Sequence, residues 1–324
     1  MRILFTGIAG FIGFNFCLSL LNNKKNKNLT IYGIDNLDNY YSTIIKKKRI
    51  KILKNYKNFN FINIDISNKK KIKSYLSKKK IDVIFHFAAQ AGVRYSAINP
   101  QKYIDVNIKG FVNLLQGVIK CKPKKIFYAS SSSVYGDSKK LPSGENDKLN
   151  PKNIYAMSKV FNENYAEQFS KDNKIKLVGL RFFTVYGEFG RPDMLVGKLI
   201  NKINNKLIFE VNNKGNHSRD FTYIGDICSI LNKMIKIKYK KKHSIFNICS
   251  NNPVNIMKVT NEILKKYGKT KIKFIKQNKL DVLKTHGSNK KLLSLIRGFK
   301  FTPINKGLDN TIKWFKKNPV SEYY

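Results

Sequence analysis

The sequence predicts an α/β protein, a doubly wound and mostly parallel sheet with a smaller C-terminal α/β lobe. Three observations carry that expectation. Short apolar, β-rich runs alternate with helical stretches over the first 130 residues, the first run ends in a glycine-patterned turn, and no internal repeat or long Pro/Gly/Ser linker interrupts the chain. Alternating β and α elements with apolar strands imply a parallel sheet covered on both faces. In order, strands are expected at Arg2–Phe5, Leu29–Ile34, Phe59–Ile64, Val83–Phe87 and Lys125–Ala129, with helices at Phe11–Leu21, Lys70–Lys79 and Lys102–Lys120 between them. The last helix is apolar on more than one face, through Tyr103, Val106, Val112, Leu115 and Val118. Such a helix is sandwiched within the fold or shared with a second subunit, so a homodimer is expected. After about Arg181 the pattern changes, with loops at 187–194 and 212–219.

Composition bounds the function. The chain has 324 residues and 42% hydrophobic content, ample for a large core. No uninterrupted apolar run approaches the ~20 residues of a membrane span. The opening Met1-Arg2-Ile3-Leu4-Phe5 runs straight into the glycine turn and reads as a strand rather than a signal peptide, so a cytoplasmic protein without a membrane partner is expected. Cys17, Cys121, Cys228 and Cys249 form no C-x-x-C pair and read as reduced thiols; His86, His217, His243 and His286 have no ligand spacing, so no metal is expected. The net charge of +43 includes the runs Lys46-Lys47-Lys48, Lys69-Lys70-Lys71, Lys78-Lys79-Lys80 and Lys240-Lys241-Lys242. These lysines are spread along the chain and accompany abundant Asn and Ile, as drift in an AT-rich genome produces. They are read as solvated surface charge, with no specific nucleic-acid partner.

The first strand leads into Thr6-Gly7-Ile8-Ala9-Gly10-Phe11-Ile12-Gly13 and then an apolar helix. Glycines there permit a tight turn, close approach of backbone N–H groups to a pyrophosphate and tight helix packing, while the helix N-terminus stabilises negative charge. The G-x-x-G-x-x-G spacing is one residue longer than G-x-G-x-x-G. Asp35 closes the second strand, where a carboxylate accepts hydrogen bonds from the adenosine ribose. No arginine follows it immediately to take a 2′-phosphate, which favours NAD over NADP. Asp65-Ile66 closes the third strand where an adenine-contacting pair would lie; Asp65 also reads as a helix cap or turn residue.

Tyr155-Ala156-Met157-Ser158-Lys159 puts a phenol and an ammonium at i and i+4 on one helical face. A phenol with a pKa near ~10 is a poor base at neutral pH. A neighbouring ammonium and a bound nicotinamide cation would lower it. The serine-rich strand end Ser130-Ser131-Ser132-Ser133-Val134-Tyr135-Gly136 offers a hydroxyl to relay the proton.

With these motifs the sequence resembles the extended short-chain dehydrogenase/reductase superfamily, and within it the UDP-glucuronate 4-epimerases. The resemblance spans Gly7 to about Trp314. It is most specific at Tyr32-Gly33-Ile34-Asp35-Asn36-Leu37, at 86–96, at Arg181-Phe182-Phe183-Thr184-Val185-Tyr186-Gly187, at Gly190-Arg191-Pro192-Asp193-Met194 and at 218–224. It implies a Rossmann-type fold, with residues 1–180 (and about 220–250) binding NAD and 181–219 with 251–324 forming a discontinuous nucleotide-sugar lobe. It implies Tyr155 as acid/base, Lys159 as its partner and Ser131 as the relay, with Ser132 and Ser133 as alternatives. Asn36, Ala88, Ala89 and Asn107 are implied near the cofactor, joining Gly7, Gly10, Phe11, Ile12, Gly13, Asp35, Asp65 and Ile66. Gln90, Arg94, Thr184, Arg191 and Arg219 are implied near the UDP-sugar. Arginines bind phosphate and carboxylate bidentately, and this chain otherwise draws its positive charge from lysine. Lys279-Leu280-Asp281-Val282 departs from the family's Pro-Gly-Asp-Val turn.

The resemblance implies inversion at C4 of a UDP-hexuronate through a 4-keto intermediate. Dehydratases and decarboxylases of the fold carry acids where Ser132 and Ser133 stand. A UDP-glucose or UDP-N-acetylhexosamine 4-epimerase is the nearer rival; a non-catalytic NAD- or polyanion-binding protein is the alternative of another class.

Overall fold

The computed structural model describes residues 1–318 apart from 27, 139, 278 and 279. The first half runs β1 (Arg2–Thr6), α1 (Phe11–Leu21), β2 (Thr30–Asp35), α2 (Thr43–Lys54), β3 (Phe59–Asn63), α3 (Lys69–Ser77), β4 (Val83–His86), α4 (Tyr95–Ile98) and α5 (Pro100–Tyr103). A π-helical turn (Ile104–Lys109), α6 (Gly110–Val118), β5 (Lys125–Ser131), α7 (Ile154–Asn173) and β6 (Lys176–Phe182) follow. The second half runs β7 (Thr184–Tyr186), α8 (Leu195–Asn204), β8 (Phe209–Asn212), β9 (Ser218–Tyr223), α9 (Ile224–Met234), β10 (His243–Ile248), β11 (Pro253–Asn255), α10 (Ile256–Lys266), β12 (Ile272–Ile275), α11 (Lys290–Leu295) and α12 (Ile304–Lys317).

Among the described residues seven strands form one sheet in the order β10-β6-β5-β4-β1-β2-β3. Every pairing in it is parallel. The strand sequence explains why both faces are covered. Ile3 and Phe5 of β1 enter one core with α1 and α9, whereas Leu4 enters the other with α3 and α6. The same alternation holds on β4 and β5: Phe85 and Phe127 stack at 4.8 Å on the first face, and Ile84 and Ile126 lie on the second. A strand buried on both sides needs apolar residues at every position, which is what a parallel sheet demands. The chain reverses direction of winding between β1 and β4, and a crevice opens beyond the strand ends at such a point.

The smaller lobe has its own core, in which Leu199 and Ile200 of α8, Phe209 and Val211 of β8, Ile263 of α10 and Phe315 of α12 are buried. Its strands form a β11-β9-β7 sheet and a β12-β8 pair. The Rossmann-type α/β fold with a smaller C-terminal lobe is thus the observed architecture.

Three sequence expectations change. The helix expected at 102–120 begins at Pro100 and contains the π-helical turn, which rotates Asn107 into the interior, 1% exposed. Helix α2 was not anticipated, because its Thr43–Lys54 sequence is dominated by lysines. The Lys46-Lys47-Lys48 run is not wholly solvated: Lys46 is buried and so is the adjoining Arg49, while Lys69–Lys71 and Lys240–Lys242 are exposed as expected. Among the described residues no helix is long and apolar enough to cross a membrane.

Candidate active site

The C-terminal ends of β1 to β6 line a cavity of 760 Å³ whose opposite wall comes from β7, β8, β9 and residues 280–285. At its first end lies the glycine turn. Gly7 has φ +73°, and a Cβ there would sit 2.5 Å from the Ala88 nitrogen. A Cβ on Gly13 would meet the Gly7 carbonyl oxygen at 2.6 Å. Helix α1 starts at Gly10 with no side-chain cap and no acid in its first turn, so its N-terminal N–H groups and dipole are available to an anion. Asp35 is 8% exposed and accepts the N–H groups of Ala9 at 2.9 Å and Leu37 at 2.8 Å. Burial pushes its carboxyl up, against those hydrogen bonds and the charges of Lys46 and Arg49. Asp65 accepts the Ser67 N–H at 2.8 Å and the Asn36 amide at 2.9 Å. Burial works against its charge too, but Ser67 and Asn36 prevail and hold the carboxyl below its ordinary range. Phe11, Ile12, Ile66, Ala88 and Ala89 complete this end. An uncapped helix start, a turn that tolerates no Cβ and a buried carboxylate together fit the adenosine-diphosphate half of a dinucleotide.

Asn107 acts at one remove. It is absent from the cavity lining; its side chain accepts the Gln90 N–H at 2.7 Å and donates to the Gln90 carbonyl and the Ser158 hydroxyl, each at 3.1 Å. It thereby ties the strand-end loop after β4 to the helix that bears Tyr155.

Ser131, Tyr155 and Lys159 meet at the middle of the cavity. Asn153 caps α7 by accepting the Ala156 N–H at 2.9 Å, which fixes where Tyr155 enters the first turn. Burial raises the Tyr155 phenol above its ordinary value, and a hydrogen bond with Ser131 and the charge of Arg191 oppose that rise. Lys159 donates to the Ala129 carbonyl at 2.9 Å and lies 5.8 Å from the centre of the Tyr155 ring. Burial drives its ammonium down to about 8, with Glu163 opposing. Ser131 and Arg191 are the groups that oppose the rise, with Lys159 standing beside the ring. Ser131 also donates to the Ser133 hydroxyl at 3.1 Å, whereas the Ser130 hydroxyl donates to Glu163 at 2.5 Å.

At the far end Gln90, Arg94, Thr184, Arg191 and Arg219 all line the cavity. Two of these arginines already hold acids of the chain. Arg94 pairs with Asp281 through 3.2 and 2.6 Å hydrogen bonds, and Arg191 pairs with Asp193. Arg219 donates to the carbonyls of Ser218 and Leu283 at 3.0 and 3.1 Å. Leu280, Asp281 and Val282 line this end, while Lys279 lies outside the described residues.

With this geometry the comparisons with known proteins are informative. The NAD dependent epimerase/dehydratase family matches residues 3–249. The chain belongs to that family. An uncharacterized protein of Methanocaldococcus jannaschii is 42% identical over 98% of this chain and 97% of its own length. A probable UDP-glucuronate 4-epimerase of Rhizobium meliloti is 31% identical over 98% of both chains. The crystal structure of UDP-glucuronic acid 4-epimerase from Bacillus cereus, in complex with UDP-glucuronic acid and NAD, matches with a TM-score of 0.90 and 30% identity, covering 98% of this chain and 99% of that one.

Sequence reasoning missed several residues of this epimerase/dehydratase site. Arg49 is fully buried and donates to the carbonyls of Ala9 at 2.8 Å and Phe189 at 2.6 Å, so it joins the glycine turn to the 187–194 loop. Its signal was present, an arginine ending a lysine run. Glu163 and Tyr40 carry no local motif and meet their partners Arg181 and Asp193 only through the fold. Among the described residues His217 Nε2 is buried without a hydrogen-bond partner at the cavity wall.

The Lys159 environment has a pH consequence. The native protein releases that proton near pH 8, whereas the unfolded chain keeps it to the ordinary lysine value of 10.5. Between those limits the unfolded state binds more protons, so this contribution to stability rises with pH. Lys159→Met should remove that rise. Denaturant titrations of both proteins from pH 7 to 10 measure it, and equal slopes would contradict the assignment.

Proposed function

We propose that the protein is an NAD-dependent UDP-glucuronate 4-epimerase, interconverting UDP-glucuronate and UDP-galacturonate through a 4-keto intermediate. One observation carries the reading. The Tyr155–Ser131 pair lines one cavity together with the glycine turn and a set of arginines. The likeness to the Bacillus cereus enzyme, over nearly the full chain, supports the same substrate.

When bound, NAD supplies a hydride acceptor and donor at C4 of the sugar. The chain's own residues do the rest. Tyr155 takes the proton of the 4-hydroxyl as the keto group forms and returns it on the way back, with Ser131 bridging phenol and sugar oxygen. Lys159, held against the Ala129 carbonyl, would offer its remaining donors to the bound dinucleotide. Arg191 and Thr184 receive the sugar carboxylate; Arg94 and Arg219 serve the diphosphate. A neutral sugar would leave the outer edge of Arg191, which Asp193 does not occupy, without a carboxylate partner, and this favours the uronate over UDP-glucose.

In this reading residues 1–180 with about 220–250 hold NAD, and 181–219 with 251–324 hold the nucleotide sugar. The protein works as a cytoplasmic homodimer. Ile98, Ile104, Met157 and Phe161 are 78, 40, 50 and 38% exposed on α4, the π-helical turn and α7, and a second copy would cover this apolar face. Phe161→Glu should shift the mass measured by light scattering from two chains to one; a wild-type protein that is already monomeric refutes the dimer.

Purified protein given UDP-glucuronate without added cofactor should yield, by proton NMR, a mixture with UDP-galacturonate. Tyr155→Phe should lose about 10³-fold in kcat while still binding UDP. Absence of conversion even with NAD added, or turnover of UDP-glucose alone, contradicts the proposal.

A further inference from the structure

Arg191 is not a free cation at the cavity wall. Asp193 takes one edge of its guanidinium: Nε donates to Oδ1 at 2.9 Å, and Nη2 donates to Oδ2. That Oδ2 also accepts the Tyr40 hydroxyl at 3.1 Å, and the Tyr40 ring centre lies 6.0 Å from the guanidinium carbon. Tyr40 follows β2 on the dinucleotide side, whereas Asp193 and Arg191 come from the 187–194 loop, so the hydrogen bond spans the cleft. Tyr40 is itself fixed. Its N–H donates to Asp38 at 2.8 Å, its ring packs on Tyr95 at 5.1 Å, and its hydroxyl lies only 2.2 Å from where a Cβ on Gly92 would be. All three residues line the cavity.

A guanidinium offers a carboxylate two bidentate edges, Nε with Nη2 and Nη1 with Nη2. Asp193 occupies the first and leaves the second clear of any carboxylate among the described residues. We propose that Asp193, held by Tyr40, is a positioning residue that sets the roll of Arg191, so that its Nη1–Nη2 edge meets the sugar carboxylate and guards the 4-keto intermediate against decarboxylation. This inference rests on the epimerase reading above.

The chemistry gives the guard its purpose. The intermediate is a β-keto acid. Loss of CO2 breaks the C5–C6 bond, sends its electron pair to C5 and the C4 carbonyl as an enolate, and ends with a proton added at C5. A guanidinium held on the carboxylate keeps the negative charge there and opposes that transfer. Asp193 meanwhile cancels part of the Arg191 charge. Removing its anion therefore strengthens the pull on a carboxylate while freeing the guanidinium to turn. Affinity and fidelity are expected to move in opposite directions, which general damage to the site does not produce.

The test uses the full-length protein with UDP-glucuronate carrying carbon-13 at C6. NMR measures the share of turnovers ending in labelled CO2 against the share ending in UDP-galacturonate, and calorimetry measures the Kd. In Asp193→Asn the CO2 share should rise by about tenfold over wild type, with a Kd no weaker. Tyr40→Phe should give a smaller rise and an unchanged Kd. A wild-type partition in both variants, or weaker binding with an unchanged partition, overturns the role of Asp193 while leaving the epimerase reading intact. A wild-type protein that makes no UDP-galacturonate overturns that reading, and this inference with it.

Discussion

Beneath the reactive hydroxyls lies a buried ion pair on which the geometry above it depends. Arg181 of β6 and Glu163 of α7 are 2% and 3% exposed and join through two hydrogen bonds, 2.8 Å from Nε and 2.7 Å from Nη2. Glu163 also accepts the Ser130 hydroxyl at 2.5 Å; Arg181 Nη1 donates to the Tyr135 hydroxyl at 2.7 Å and the Glu145 carbonyl at 3.1 Å. Tyr135 passes the chain on to Asn247 of β10 at 2.7 Å. One network thus ties together the end of β5, the helix that carries Tyr155, the loop around residue 145 and the outermost strand. Desolvating two such ions costs about several kcal/mol each, and their attraction roughly offsets this, so the pair is weak evidence for stability. Its contribution is specificity. Glu163 stands one helical turn beyond Lys159, on the same face, so the arrangement that satisfies the ions also sets where Lys159 and Tyr155 sit against Ser131.

The reactive group itself is built with opposing electrostatic demands. Burial disfavours the phenolate of Tyr155 and the ammonium of Lys159 alike, yet each has a neighbour that resists the shift: Ser131 and Arg191 for the phenol, Glu163 for the amine. Proton exchange with a hydroxyl is easiest for a group poised near the working pH. The nicotinamide cation of bound NAD would act on the phenol in the direction Arg191 already does. The arrangement makes sense as one completed by its cofactor.

Much of the fold was legible in the sequence because parallel strands buried on both faces must be apolar along their centres, as Ile3–Phe5, Val83–Phe85 and Ile126–Tyr128 are. The glycine turn, Asp35 and the Tyr155–Lys159 spacing were legible for a similar reason: close backbone approach and helical periodicity leave local traces. What stayed hidden has no local trace. Helix α2 presents lysines where an amphipathic pattern would be sought, and the burial of Lys46 and Arg49 depends on carbonyls of Asp38, Ala9 and Phe189 brought near by the fold. Asp281 and Asp193 both stood in quoted motifs, but their pairing with Arg94 and Arg191 was not legible, because side-chain geometry set by the fold decides it. The interior position of Asn107 depends on a π-helical turn that residue periodicity does not announce.

The central claim is that C4 is inverted by removing its hydrogen as hydride and returning that same hydrogen to the opposite face. Its most direct measurement supplies UDP-glucuronate labelled with deuterium at C4 in ordinary water and reads the label in the UDP-galacturonate formed. Full retention of deuterium at C4 is the result expected of a hydride held within the closed site. Exchange of the label with water would mean a proton abstracted and replaced by solvent, and would contradict the 4-keto mechanism.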